Sequence, residues 1–286
     1  MKSLLEAGPC VSIKNLAKAF SVPGGRMPVV RPGHVKPPAS VVVFENFSFD
    51  VSQGEFVVVL GRSGCGKSTL LKMIAGLIAP DQGQILVMGQ PVGGPNPWSI
   101  MVFQDFALFP WRTALGNVRM PLEAGTWRIE GELKRREAAT AVLTRVGLQD
   151  RINAYPRELS GGMQQRAALA RSMVVRSPLM LMDEPFGSLD AHTRDNMQKV
   201  LQDLWSDIQN SIILVTHDIQ EAMILADRIV VLAGKPASIA GEIRVPAGRP
   251  RDRRWLVTKD AFELQERVIS MLYGVNENVP GTFPEN

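Results

Sequence analysis

The chain has 286 residues, 45% hydrophobic and 21% charged, with a net charge of +4. That is enough apolar material for a sizeable core in one large domain or two small ones, and the balance excludes a globally disordered chain. Two cysteines, Cys10 and Cys65, cannot form a disulfide framework, no stretch reaches the roughly 18 apolar residues of a membrane span, and the N-terminus lacks the apolar core of a signal peptide. The expectation is a soluble cytoplasmic protein whose small positive excess does not call for nucleic acid. The densest basic run, "GRPRDRR" at 248–254, reads as a solvated loop.

In chain order, short apolar runs at 11–16, 41–49, 55–60, 179–182, 212–215 and 228–232 read as strands. Helical patterns fall at 67–78, 131–146, 161–176, 192–208, 218–226 and 258–273. Continuous apolar strands separated by helices predict an α/β fold with a mainly parallel sheet buried on both faces. The first two strands have no helix between them and predict an antiparallel edge layer. The gap between "MVFQ" and "LMLM" predicts an α-helical insert at about 105–175. Residues 21–39 are rich in Pro and Gly and read as a loop. The main domain is expected over 11–245, with a C-terminal helix and fraying tail over 246–286. No internal repeat occurs, so the chain carries one set of motifs.

Those motifs begin with "FVVVLGRSGCGKST", a strand followed by a glycine-rich loop and a helix. Gly61, Gly66, Lys67 and Ser68 satisfy G-x-x-x-x-G-K-[ST] in the context that pattern requires, and Arg62, Ser63, Gly64, Cys65 and Thr69 complete the cradle. Glycines let successive backbone N–H groups face a β-phosphate. Lys67 can reach the β- and γ-phosphates and Ser68 can ligate Mg²⁺. In "LMLMDE" an apolar strand ends in Asp183 and Glu184. Asp183 can hold Mg²⁺ through water, which leaves Glu184 free to accept a proton from an attacking water. His217 ends the strand "SIILVTH" where it could polarise a γ-phosphate, and the Gln104 amide could orient water and contact Mg²⁺. A second helix start, "LSGGM" at 159–163, offers Ser160 as a cap with Gly161 and Gly162 exposing N–H groups at the positive end, a further anion site.

The P-loop at 61–69, Gln104, "LSGGM", "LMLMDE", "SLD" at 188–190 and His217 stand in one order and spacing. In these motifs the chain resembles an ABC-type ATPase over about residues 11–240. The resemblance implies a P-loop NTPase (RecA-like) core that binds ATP and Mg²⁺, with Lys67, Ser68, Gln104, Asp183, Glu184 and His217 in the roles above. It also implies a second ATPase subunit docked head-to-tail, so that Ser160, Gly161 and Gly162 of one chain cover the ATP of the other and Asp190 lies at the seam. Phe20 matches the aromatic on which the family stacks adenine, although the Pro/Gly-rich insert after it departs from the pattern. Cys65 is either a reactive thiol or a small loop-filling side chain. "VFQDFALFPWRTALGNV", Met163 and Thr193-Arg194 are similar to importer ATPases for nitrate, taurine, sulfonate and bicarbonate. This implies transmembrane permease subunits contacted through 105–128, an extracytoplasmic binding protein, and a peripheral place on the inner membrane face. The segment after His217 is too short for the regulatory barrel of sugar-type importers. The alternatives are an exporter or lipid-handling ATPase, and a soluble ABC ATPase acting on ribosomes or DNA.

Overall fold

Valine and isoleucine crowd one another in a helix and pack well on a pleated surface, so the runs "VVVL" and "IILV" become strands. In this computed structural model, which describes residues 8–21, 40–103, 107–123, 125–187 and 189–274, they form the centre of a six-stranded sheet. The elements in order are β1 (Val11–Ser21), β2 (Ser40–Val51), β3 (Phe56–Gly61), α1 (Lys67–Ile74), β4 (Gln82–Val87), β5 (Gln90–Pro91) and β6 (Ser99–Val102). Then come α2 (Ala114–Arg119), α3 (Glu132–Arg145), α4 (Gly161–Met173), β7 (Leu179–Asp183), α5 (Ala191–Ile208), β8 (Ser211–Thr216), α6 (Ile219–Leu225), β9 (Arg228–Ala233), β10 (Ser238–Arg244) and α7 (Lys259–Tyr273).

The large sheet has the order β10-β9-β3-β8-β7-β6. Its strands are parallel except for the β10–β9 edge pair. Successive side chains on a strand face opposite ways, and here they divide between two cores. Phe56, Val58, Ile212, Leu214, Met180, Met182, Ile229 and Val231 join the core built with the helical insert, α5, α6 and α7. Val57, Val59, Ile213, Val215, Leu179, Leu181, Val230 and Leu232 join the other, under α1 and the second sheet. Each such side chain contributes about 1.5–3 kcal/mol of burial, which explains why these strands carry no polar alternation.

The antiparallel layer is a separate four-stranded sheet, β2-β1-β4-β5. β1 runs past the expected residue 16 to Ser21 because it irregularly pairs with both β2 and β4, with Asn15 at positive φ where the register shifts. The apolar pattern does not reveal β4, β5 and β6. β4 begins "QGQ", β5 is two residues long and β6 four, so none carries a strand-length hydrophobic signal. Helix α1 stops at Ile74, short of 78, where Gly76 turns at φ 73 with Gly94 packed so close that no side chain fits. The insert between β6 and β7 holds α2, α3 and α4, of which α2 is too short to show a period. Residues 22–39 and the tail 275–286 lie outside the described residues.

The run 248–254 is only in part a solvated loop: Asp252, Arg253 and Arg254 are exposed, but Arg249 and Arg251 turn inward. Arg249 lies over the Trp205 ring, 4.2 Å from its centroid, and pairs with Asp227 at 2.9 Å. Arg251 is 4% exposed and donates to the carbonyls of Met223, Ile224 and Ala226 at the end of α6. A guanidinium at a helix C-terminus satisfies carbonyls that lack intrahelical partners. The two arginines therefore fasten the segment leading to α7, whose Ala261, Leu264, Val268 and Leu272 enter the main core.

Candidate functional site

Three motif-bearing segments leave the carboxyl ends of neighbouring parallel strands. β8 lies between β3 and β7, with Leu60 opposite Thr216 and Val215 opposite Asp183. The glycine-rich loop follows β3, Asp183 and Glu184 end β7, and His217 follows β8. Strands stand about 4.8 Å apart, so all three segments meet at the edge where open α/β sheets bind ligands.

Two glycines of the loop are obligatory. Gly66 has φ 100, and a Cβ there would lie 2.6 Å from Val43 Cγ1 and 3.0 Å from the Phe44 ring. At Gly61 it would lie 2.9 Å from the Leu232 carbonyl oxygen. Cys65 Sγ is buried against the same turn, which favours the loop-filling reading. Arg62, Ser63 and Gly64 are exposed and Thr69 is half-buried. Lys67 folds back into its own loop, its Nζ donating to the Gly61 and Arg62 carbonyls at 2.7 and 3.2 Å. Ser68 Oγ donates to Asp183 Oδ1 at 2.8 Å. Burial pushes the Asp183 carboxyl above its ordinary range, and the adjacent Glu184 charge adds to this, against the Ser68 hydrogen bond and Lys72 and Lys67. A buried carboxylate and a hydroxyl at that separation suit a hard cation completed by phosphate and water.

Glu184 sits between the loop and the histidine. Its Oε2 is 3.2 Å from His217 Nδ1 and its Oε1 is 4.0 Å from Lys67 Nζ. Its N–H donates to the Val215 carbonyl at 3.0 Å, and φ is 45. A non-glycine residue in that region stores roughly 1–2 kcal/mol. Such strain persists where surrounding structure overrides it, commonly at functional sites. The arrangement can do acid–base chemistry beside a phosphate cradle: a carboxylate aimed by an imidazole and flanked by an ammonium.

The second helix start also forms. Ser160 caps α4, accepting from the Met163 N–H at 3.4 Å, and Asp190 caps α5, accepting from the Thr193 N–H at 3.0 Å. That bond holds the Asp190 carboxyl below its usual range. Ser160, Gly161, Gly162, Asp190 and Thr193 line one open hollow of about 730 Å³, in which no residue of 61–69 takes part. Gly162 faces Thr193 so closely that a Cβ would come within 2.9 Å of its methyl, whereas Gly161 opens onto free space. Phe20 is 39% exposed near the end of β1, with Lys18 Nζ 5.3 Å from its ring centroid, so it is not a core residue. Gln104 lies outside the described residues.

Sequence reasoning missed several residues that order these sites. Asn117 is fully buried and ties down 109–113: its Oδ1 accepts from the Phe109 N–H at 2.7 Å, and its Nδ2 donates to the Phe109, Arg112 and Thr113 carbonyls. Trp111 is thereby presented 70% exposed beside a groove of about 590 Å³ lined by Arg112, Arg119, Glu123 and Tyr155. Asp218 and Glu221 cluster beside His217 with Arg194, which the sequence offered only as a family marker. For Asn117 and Glu221 the only signal is a polar residue among apolar helix neighbours, and for Asp218 a short acid ahead of a helix.

A profile of the ABC transporter family matches residues 44–187. Over 233 residues the chain is 41% identical to the bicarbonate transport ATP-binding protein CmpD of Synechocystis sp., covering 81% of this chain and 82% of that protein. It is 42% identical to the nitrate import ATP-binding protein NrtD of Synechocystis sp. over 243 residues, 82% and 90% of the two chains. The chain belongs to the ABC transporter family. The cassette also superposes on the dimeric, post-hydrolysis structure of the ATP-binding cassette MJ0796 bound to ADP and Pi, with TM-score 0.70, 29% identity and coverage of 83% and 100%. This ABC cassette is therefore an ATP-binding, ATP-hydrolysing subunit of a transporter. None of its described helices is long and apolar enough to cross a membrane.

Proposed function

We propose that this ABC cassette drives an importer for a small anion, working as a pair of subunits on a separate membrane permease. The observation that carries the catalytic part is the contact of Glu184 with both His217 and Lys67 at the ends of β7, β8 and β3. Lys67 exchanges the Gly61 and Arg62 carbonyls for β- and γ-phosphate oxygens when ATP enters. Glu184 takes the proton of the attacking water, and His217 holds Glu184 in place while facing the γ-phosphate. Ser68 and Asp183, with Gln104, would hold Mg²⁺, which neutralises charge on the phosphates when bound. Phe20 offers an exposed ring to the adenine.

The pairing rests on the separation of the Ser160–Gly162 hollow from the 61–69 loop, together with the dimeric form of MJ0796. Ser160 and Gly161 then meet the γ-phosphate held by the other subunit, with Asp190 at the seam. Trp111, within 105–128, and the groove beside it, which Tyr155 completes, are the surface offered to the permease. A peripheral position on the inner membrane face follows from that contact, and an extracytoplasmic binding protein would deliver the cargo. The relatives named for bicarbonate and nitrate favour import of such an anion over export, lipid handling or action on ribosomes or DNA. Co-purification in detergent tests the assignment: the chain should carry a small permease with it, and Trp111→Ala should release it. Retention of the Trp111→Ala chain at wild-type yield would refute the docking surface.

A further inference from the structure

Thr216 and Asp218 flank His217 and are both pinned. Asp218 Oδ1 caps α6, accepting from the Gln220 and Glu221 N–H groups at 2.9 and 3.1 Å. Its own N–H donates to Thr216 Oγ1 at 3.1 Å, and that hydroxyl is hydrogen-bonded to the buried Glu221 carboxyl. The turn that presents His217 is thus fixed from both sides. A charged pair links it to α5: Asp218 Oδ2 lies 3.2 Å from Nη1 of Arg194. Arg194 Nη2 donates in turn to the Leu189 carbonyl at 3.1 Å. Leu189 is buried, and the next residue, Asp190, opens onto the hollow shared with Gly161 and Gly162.

One guanidinium therefore bridges two loops that are otherwise separate in the chain. We propose that Arg194 is a positioning residue that couples the seam loop at 189–190 to His217, so that placement of the one sets placement of the other. The planar fork of arginine suits this, because its two terminal nitrogens are held at a fixed separation and cannot serve their acceptors independently. A shift of Leu189 when the other subunit closes would move Asp218, and with it the imidazole that contacts Glu184. Both Arg194 and Asp218 are about one-third exposed, so the pair matters for geometry more than for stability. The inference rests on the proposed roles of His217 and of Asp190 at the seam.

The test is an epistasis series on steady-state ATP hydrolysis, with binding of a fluorescent ATP analogue to the isolated subunit measured alongside. Arg194→Ala should lower kcat about tenfold, within the range by which contacting residues couple, while nucleotide affinity stays within about twofold. Arg194→Lys should lose part of the rate, because an ammonium serves one acceptor well and the second poorly. Asp218→Asn keeps the helix cap and removes the charge, so it should reproduce the Arg194→Ala loss without unfolding the chain. The double variant should be no slower than either single one, and neither change should slow an enzyme that already carries His217→Ala. Independent, multiplying losses for Arg194→Ala and His217→Ala would overturn the coupling and leave the role of His217 standing. A His217→Ala enzyme with unchanged turnover would instead overturn that role, and the coupling with it.

Discussion

Glu221 is the most sharply perturbed acid for which the structure names a cause. It is 4% exposed, one oxygen bonds Thr216 and the other has no hydrogen-bond partner among the described residues, and burial pushes its carboxyl up to about 8. The Thr216 hydrogen bond and Arg194 oppose that rise, while Asp218 and Glu184 reinforce it. The folded value lies above that of the unfolded chain, so the native state keeps a proton that the unfolded state gives up. The stability this contributes is fully present below about pH 4.5 and is lost as pH climbs through about 8. Between about pH 5 and about pH 8 the loss is about 3–4 kcal/mol, taking 1.36 kcal/mol per unit. Glu221→Gln keeps the shape and never ionises, so it should remove that slope. Urea unfolding followed by far-UV circular dichroism at the two pH values should show the variant gaining about that much on the wild type at the alkaline end. Parallel stability profiles for the two proteins would refute a carboxyl held neutral by burial.

Glu184→Gln should leave ATP binding intact, cut turnover by about 10²–10⁴ as for loss of a positioned base, and accumulate an ATP-bound dimer visible by size exclusion; hydrolysis near the wild-type rate would remove Glu184 from that role. Ser68→Ala and Asp183→Asn should weaken nucleotide binding more with Mg²⁺ than without it, and equal losses under both conditions would argue against a cation between them. Gly66→Ala should abolish nucleotide binding, since its Cβ would strike Val43 and Phe44 in a backbone conformation that alanine avoids; wild-type affinity in a titration would contradict that crowding. The head-to-tail pairing can be read from a mixed dimer of one Lys67→Ala chain and one Gly161→Asp chain. Position 161 is suited to this because its Cβ meets open space, whereas at 162 it would meet Thr193. Each homodimer should fail to occlude ATP and the mixed dimer should occlude one; no occlusion in a verified mixed dimer would show that the Ser160–Gly162 start serves its own chain.

The elements whose signals are local were legible in advance. The loop at 61–69 follows from glycine, lysine and serine at set spacing after a β-branched run. The cap Ser160 follows from a short polar side chain ahead of helix formers. The buried strands β3, β7, β8 and β9 announce themselves because both of their faces meet a core. Strands β4, β5 and β6 do not: β5 and β6 are short strands at sheet edges, and β4 opens on three exposed residues, so none carries a continuous apolar run.

The rest was decided by contacts between residues far apart in the chain. Whether Glu184 meets His217 depends on β8 lying beside β7, and no residue near either motif records that neighbour. Arg249 and Arg251 have the composition of a solvated loop, and only Trp205, Asp227 and the open carbonyls at the end of α6 make burial favourable. Asn117 and Glu221 look like ordinary helix residues until the loop at 109–113 and Thr216 are folded against them. The sequence by itself determined which side chains could perform phosphate chemistry, because backbone conformation and capping depend on near neighbours. The tertiary structure alone decided which of them meet and which charges are desolvated, because burial and hydrogen-bond partners are supplied by strands and helices distant in the chain.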